Sequence, residues 1–304
     1  MKIAFITSGS IGDAVISTSL IAYLEDTYPD AEFTIASGPA SAPLFSQFPK
    51  LKRLLVVRKL KWDKHWFILW NELRKERWDL VVDLRSSLTS YILRTKQRKI
   101  FRGNDKSKPK IDQLAALFNL NPVPLTRVWV NAETIEQAKS LLPDAPYIVM
   151  LPKSNAAFKD WPIERFAELA ERILKLATYE NSKIVVLGLA SQKASLTPLI
   201  NALPPSQIID LSGKTDIPLA SAILKGAQLV ISNDSGLFHI AAALGTESIG
   251  LYGPTNDKIY APKRPNVHII KAREFAIHEK EITDPTIIEQ LSVDKVIQVI
   301  EGIA

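Results

Sequence analysis

The sequence predicts an α/β protein of two domains, each a parallel sheet covered by helices on both faces. Three observations carry that expectation. Short apolar runs rich in Val and Ile alternate with helical stretches along the chain, as buried parallel strands with crossover helices do. The alternation is interrupted once, around residues 125–130 and Pro143-Asp-Ala-Pro146, and then begins afresh. At 304 residues, with 46% hydrophobic and 23% charged residues, the chain has ordinary globular composition and about two domains' worth of length.

The first domain, residues 1–130, is expected to contain strands near 2–7, 32–37, 54–57 and 79–83, with a helix beginning at about residue 14. The second, residues 131–304, opens with a helix over 132–142 and places strands near 147–151, 183–187, 229–232 and 248–252. Pro162 suits the first position of another helix. The last helix follows Ser292 as cap, and Val293, Val296, Ile297 and Ile300 form one apolar stripe that fits a packing partner on either domain. Asp105-Lys-Ser-Lys-Pro-Lys110 reads as a mobile loop.

Three strand-to-helix junctions carry the candidate chemistry, because open α/β sheets bind ligands beyond the carboxyl ends of their strands. Between Leu229 and Gly245 an apolar strand runs into a helix through Asn233-Asp-Ser-Gly236, with capping types at Asp234 and Ser235 and a histidine, His239, in the first turn. The unpaired N–H groups and dipole of such a helix attract an anion. Lys159 lies in the loop after strand 147–151, just ahead of Pro162, where an ammonium can neutralise a phosphate. The amino-terminal junction is Ser8-Gly-Ser-Ile-Gly-Asp13. It lacks the three glycines of a dinucleotide fingerprint, the ribose-binding acid after the next strand, and the Gly-Lys-Ser/Thr of a P-loop. What it offers is Asp13 at a helix start. Taken singly, each of these residues also has a purely structural reading, as a cap, a surface lysine or a satisfied core histidine.

Together the clusters resemble glycosyltransferase family 9, the ADP-heptose:lipopolysaccharide heptosyltransferases. The matching elements, in order, are Ser10-Ile-Gly-Asp13, Lys159-Asp-Trp-Pro-Ile-Glu-Arg-Phe166, Leu211-Ser-Gly-Lys-Thr215, Asn233-Asp-Ser-Gly-Leu-Phe-His239 and Tyr252-Gly-Pro-Thr255. The resemblance implies the GT-B architecture, two Rossmann-like domains facing across a cleft, and a last helix that crosses back towards the first. It implies Asp13 as general base, with Ser10 and Gly12 beside it on the acceptor side. It implies that Lys159 contacts the nucleotide phosphates and that Asp234, Ser235, Gly236 and His239 hold the sugar nucleotide. The reaction would be inverting transfer from an ADP-sugar, and no Asp-x-Asp pair is present to bring a metal to the diphosphate. Two departures stand out. Gly188 is followed by Leu-Ala-Ser-Gln-Lys193 where relatives often carry a ribose-binding acid, which leaves the nucleotide open, and Thr18-Ser-Leu20 replaces a proline of the first helix.

Charge separates the halves. Residues 50–110 hold 19 Lys or Arg against 6 Asp or Glu, an excess larger than the +6 of the whole chain, so the remainder is net negative. Trp62, Trp66, Phe67, Trp70 and Trp78 are interleaved with it. Such a segment fits either a phosphorylated, acidic glycolipid acceptor and an anionic inner-membrane surface, or a core of tryptophans rimmed by solvated lysines. No zinc-finger, RNP or recognition-helix pattern points to nucleic acid. No run of about 18 apolar residues and no leader pattern is present, so a cytoplasmic protein is expected. With no cysteine there is neither a thiolate metal site nor a cysteine nucleophile. A nucleotide-sugar epimerase and a non-catalytic sugar-nucleotide sensor share enough of these features to remain alternatives, and the glycine pattern speaks against a nicotinamide-dependent oxidoreductase.

Overall fold

The computed structural model describes every residue except Asn104, Lys106, Pro143 and Ala304. The chain divides into two compact units, Met1–Asn131 and Ala132–Ala304.

In the first unit, strands β1 (Lys2–Ile6), β2 (Glu32–Ser37), β3 (Leu51–Val56), β4 (Trp78–Asp83) and β5 (Thr95–Ile100) run parallel in the order β3-β2-β1-β4-β5. Helices α1 (Ile11–Thr27), α2 (Lys64–Leu73), α3 (Leu88–Ile92) and α4 (Lys110–Ala115) accompany them. The winding reverses between β1 and β4, so the loops after these two strands flank the switch point where such sheets take ligands. α1 is buried from Ala14 to Leu20 without interruption, and its Ser17, Thr18 and Ser19 hydroxyls are satisfied on carbonyls three residues back. Thr18 also accepts the backbone N–H of Arg127 at 3.0 Å, tying the exit of the unit to its first helix.

The second unit opens with α5 (Ala132–Leu141) and continues β6 (Tyr147–Leu151), α6 (Ile163–Ile173), β7 (Lys183–Val186), α7 (Lys193–Ala202), β8 (Ile208–Asp210), α8 (Ile217–Gly226), β9 (Leu229–Asn233), α9 (Gly236–Leu244), β10 (Ser248–Tyr252), α10 (Asp257–Tyr260), β11 (Val267–Lys271) and α11 (Val293–Ile303). Its parallel order, β11-β10-β9-β6-β7-β8, is the same winding with one more strand, and its switch point lies between β6 and β9. α6 starts one residue later than Pro162 suggested, with Pro162 flanking it as the cap. The apolar stripe of α11, Val293, Val296, Ile297 and Ile300, is buried in this unit's core, where α11 packs on α6.

The sheets differ from expectation at their edges. β5, β8 and β11 were not anticipated, and β3 begins three residues before the expected 54–57. All four are edge strands. β5 reads Thr-Lys-Gln-Arg-Lys-Ile and has no fully buried residue, because an edge strand is not sandwiched and needs no continuous apolar run. The tryptophans divide as well: Trp78 is buried, Trp66 and Trp70 pack partly on the core, and Trp62 is exposed. The loop expected to be mobile at 105–110 includes Lys106, which lies outside the described residues, as does Pro143 of the expected interruption; Lys110 starts α4.

Candidate functional site

At the switch point of the second sheet, β9 ends in Asn233 and α9 begins at Gly236. Of the two capping types, Ser235 does the capping: its Oγ accepts the N–H of Phe238 at 3.3 Å. Asp234 turns instead to a lysine and a histidine. Its Oδ2 accepts from Lys159 Nζ at 3.0 Å, and its Oδ1 lies 3.7 Å from His239 Nε2. Lys159 also stands 3.8 Å from Glu281. Burial by itself would raise the Asp234 carboxyl pKa, but His239 and Lys159 outweigh it and hold the group well below the usual carboxylate range. The structure thus brings together Lys159, Asp234, Ser235, Gly236 and His239.

Lys159 is held there by its own loop. It ends a single 3₁₀ turn, Ala157–Lys159, closed by Asp160, whose Oδ1 accepts from Ser154 N and Oγ at 2.8 Å. The loop is fixed at both ends by one amide. Asn233 Nδ2 donates to Pro152 O at 2.6 Å, and Asn233 Oδ1 accepts from Trp161 N at 3.1 Å. Trp161 is fully buried and donates its indole N–H to Leu291 O at 2.9 Å. Next to this, Gln192 occupies the region where an acid was expected: its Oε1 accepts from Leu189 N at 2.9 Å and its Nε2 donates to Ser154 O at 3.3 Å. Gly213 of Leu211-Ser-Gly-Lys-Thr215 has φ +73°, and a Cβ there would stand 2.7 Å from the Ala190 side chain, so this turn needs glycine twice over.

Tyr252 and Thr255, quoted from sequence only as motif members, have buried hydroxyls without a hydrogen-bond partner among the described residues. Burial pushes the Tyr252 phenol well up, and the Asp234 carboxylate adds to it, which puts Tyr252 in the field of the site. The signal in the sequence was a tyrosine closing an otherwise apolar strand. A buried tyrosine hydroxyl beside a charged cluster is where a polyhydroxylated ligand can be oriented.

In the first unit, Ser10 caps α1, its Oγ accepting the Asp13 N–H at 3.3 Å and donating to Asp13 Oδ2 at 3.1 Å. Ser8 Oγ is 3.4 Å from the same oxygen. Gly12 lies in the first turn beside Asp13. The loop is anchored from below, where Ser37 and Ser41 hydroxyls donate to Ser8 O at 2.9 and 2.7 Å. A Cβ at Gly38 would fall 2.6 Å from Gly9 Cα, so the two backbones meet at a distance only glycine permits. Lys110, read as loop from sequence, stands at the start of α4 with its ammonium 4.4 Å from the centre of the Phe101 ring. Burial pulls its pKa down and the Asp13 carboxylate opposes that, so cation and carboxylate share one neighbourhood. Asp13, Ser10 and Gly12 form a cluster in one unit, and the Asp234 network forms another in the second. Among the described residues, no three His, Cys, Asp or Glu side chains converge as a metal site requires.

Residues 121–287 match the model of glycosyltransferase family 9 (heptosyltransferase). Lipooligosaccharide heptosyltransferase 2 of Haemophilus influenzae is 25% identical over 90% of this chain and 89% of its own length. Among solved structures, E. coli ADP-heptose lps heptosyltransferase II superposes with a TM-score of 0.80 at 21% identity, covering 99% of this chain and 98% of that one. E. coli heptosyltransferase WaaC with ADP gives 0.79 at 20% identity, with both chains covered in full.

Proposed function

Because the chain belongs to glycosyltransferase family 9 and is a glycosyltransferase of the GT-B fold, we propose that it transfers heptose from an ADP-sugar to the lipopolysaccharide core or a related acidic glycolipid. The observation that carries this reading is the Lys159–Asp234–His239 network at the amino terminus of α9, on the switch point of the second sheet. Lys159 and the α9 terminus present positive charge to a diphosphate, and Ser235 and Gly236 keep that terminus narrow enough for its N–H groups to be reached. Asp234, fixed as an anion, accepts hydrogen bonds from sugar hydroxyls, and His239 orients it.

In the first unit, Ser10 and Gly12 shape the loop that presents the acceptor to Asp13. Asp13 takes the proton of the acceptor hydroxyl as that oxygen attacks the anomeric carbon. The new C–O bond forms on the face opposite the leaving group, so the configuration inverts, and the electron pair of the broken bond departs with ADP. The charge that develops on the diphosphate meets Lys159 and the helix dipole, a stabilisation that needs no metal ion. The basic excess of residues 50–110 favours a phosphorylated acceptor and work at an anionic, cytoplasmic membrane face. No helix among the described residues is long and apolar enough to cross a membrane.

Asp13→Asn tests the reading, because it keeps shape while removing the proton acceptor. With ADP release and acceptor mass as readouts, in EDTA, transfer should fall by about 10²–10⁴-fold while donor binding is little changed. Full activity in the variant would remove Asp13 from the mechanism. Dependence of the parent on an added divalent ion would overturn the metal-free step, and formation of an epimer without acceptor would overturn the transferase reading.

A further inference from the structure

We propose that the outward faces of α2 and α3 form a membrane-docking surface whose apolar side chains insert among anionic lipid headgroups. This rests on the reading that the first unit works at an anionic surface, and names the part that makes the contact.

α3 is inside out. It buries Thr89 and Ser90, whose hydroxyls donate to Trp66 O at 3.0 Å and Ser87 O at 2.9 Å, and turns Leu88 (79% exposed), Tyr91 and Ile92 (61% exposed) to the outside. A helix facing water does the reverse. The Thr89 bond also joins α3 to α2, so the two helices adjoin. α2 fills the core with Leu69 and Leu73 and packs Trp66 and Trp70 against it, which leaves Phe67 (67% exposed) and Ile68 with no inward role. Just before α2 stands Trp62, 90% exposed. Trp62 and Asp63 both adopt left-handed backbone, φ 58° and 51°, an unfavourable conformation for two successive residues that carry a Cβ. Single exposed apolar residues are ordinary; several on two touching helices are not.

The rim identifies the occupant. Arg58, Lys59, Lys61 and Lys64 precede the apolar face on the α2 side and make no ion pair among the described residues. From Leu84 through Arg102 the chain has six Lys or Arg and no Asp or Glu. Arg85 lies over the Trp66 ring and Arg102 over Tyr91, at 5.7 and 5.8 Å. Lys96 pairs with Asp79 at 2.7 Å, but the balance of the rim is cationic, and aromatic and aliphatic side chains ringed by excess positive charge match the acyl boundary and the headgroups of an anionic bilayer. A second copy of this chain would set like charge against like charge.

The test uses the full chain with phosphatidylcholine vesicles, with and without phosphatidylglycerol, in co-sedimentation and in tryptophan quenching by brominated lipid. The parent should bind the anionic vesicles, release them as salt rises, and show quenching that is reduced in Trp62→Ser. The Leu88→Ser/Ile92→Ser double variant should partition at least about tenfold less, since each inserted apolar side chain is worth roughly that factor. Its melting temperature and ADP affinity should match the parent's. The proposal is overturned if the parent ignores anionic vesicles at low salt, if the double variant partitions as the parent does, or if brominated lipid leaves the emission unquenched. It is equally overturned if these substitutions instead abolish self-association in the ultracentrifuge. Transfer to a water-soluble, delipidated acceptor separates the two readings: activity there without vesicle binding defeats only the docking surface, and vesicle binding without activity defeats only the proposed reaction.

Discussion

Replacing Lys159 by methionine keeps most of the side-chain stem and removes the ammonium from Asp234. The pair is well enclosed, with side chains 16% and 9% exposed and 3.0 Å between the charged atoms. Removing one partner of a buried pair costs about 3–5 kcal/mol, because a charge is left without compensation. His239, 3.7 Å from the other carboxylate oxygen, offsets part of this, so about 2–3 kcal/mol is expected for the second unit. At roughly 2–4 °C per kcal/mol for a domain of this size, its calorimetric transition should drop by about 5–10 °C. ADP-sugar affinity should fall separately by about 1–3 kcal/mol, the worth of a charged hydrogen bond, measured by titration calorimetry. Adding Asp234→Asn removes the orphaned charge, and the double variant should regain much of the stability without regaining affinity. Acid provides a further check. The depressed Asp234 pKa gives the parent stability that is present above about pH 4 and is lost progressively as pH falls from there through the folded-state value, whereas Lys159→Met, in which the depression is smaller, should lose less over the same interval. A single variant within about 0.5 kcal/mol of the parent, the scatter of an ordinary surface change, would refute the charge argument, as would nucleotide affinity restored in the double.

Lys110→Met should raise KM for a phosphorylated acceptor about tenfold, the worth of one charge-assisted contact, while donor affinity stays put; unchanged steady-state KM would show that the cation beside Asp13 does not meet acceptor. Tyr147 donates to Ile223 O at 2.8 Å, and burial pushes its phenol up to about 12. A raised folded-state value contributes stability present below about pH 10 and lost as pH rises towards 12, here about 2–3 kcal/mol. Urea titrations from pH 9 to 12 should show that slope in the parent and lack it in Tyr147→Phe.

The interior of both sheets was legible because β1, β4, β6 and β9 are buried on two faces and so carry apolar runs through their middles. The edges were not, since β5 satisfies one neighbour only and carries polar residues that read as loop, and β8 is only three residues long. The same division runs through the candidate site. Asp13, Lys159, Ser235 and His239 could be picked out because each stands next to a strand-to-helix junction, a local signal. Lys110 could not, because its approach to Asp13 depends on α4 folding back over a long stretch of chain. Asn233 looked like the polar end of a strand, and nothing local marks its side chain as a link to Pro152 and Trp161.

That link fixes when the loop carrying Lys159 loses its freedom. With both ends of residues 152–161 held on one strand by a single amide, the loop is ordered as the second unit folds. Backbone ordering costs on the order of 1–2 kcal/mol per residue, a sum that a floppy loop would have to meet each time it closed on a ligand. Here the loss is incurred once per folding event, and in the proposed reaction each donor encountered afterwards would meet a lysine already in place. Turnover would then draw on folding free energy that was set aside at a strand end, and the entropy of capture would be governed by a fully buried side chain rather than by the groups proposed to face the phosphate.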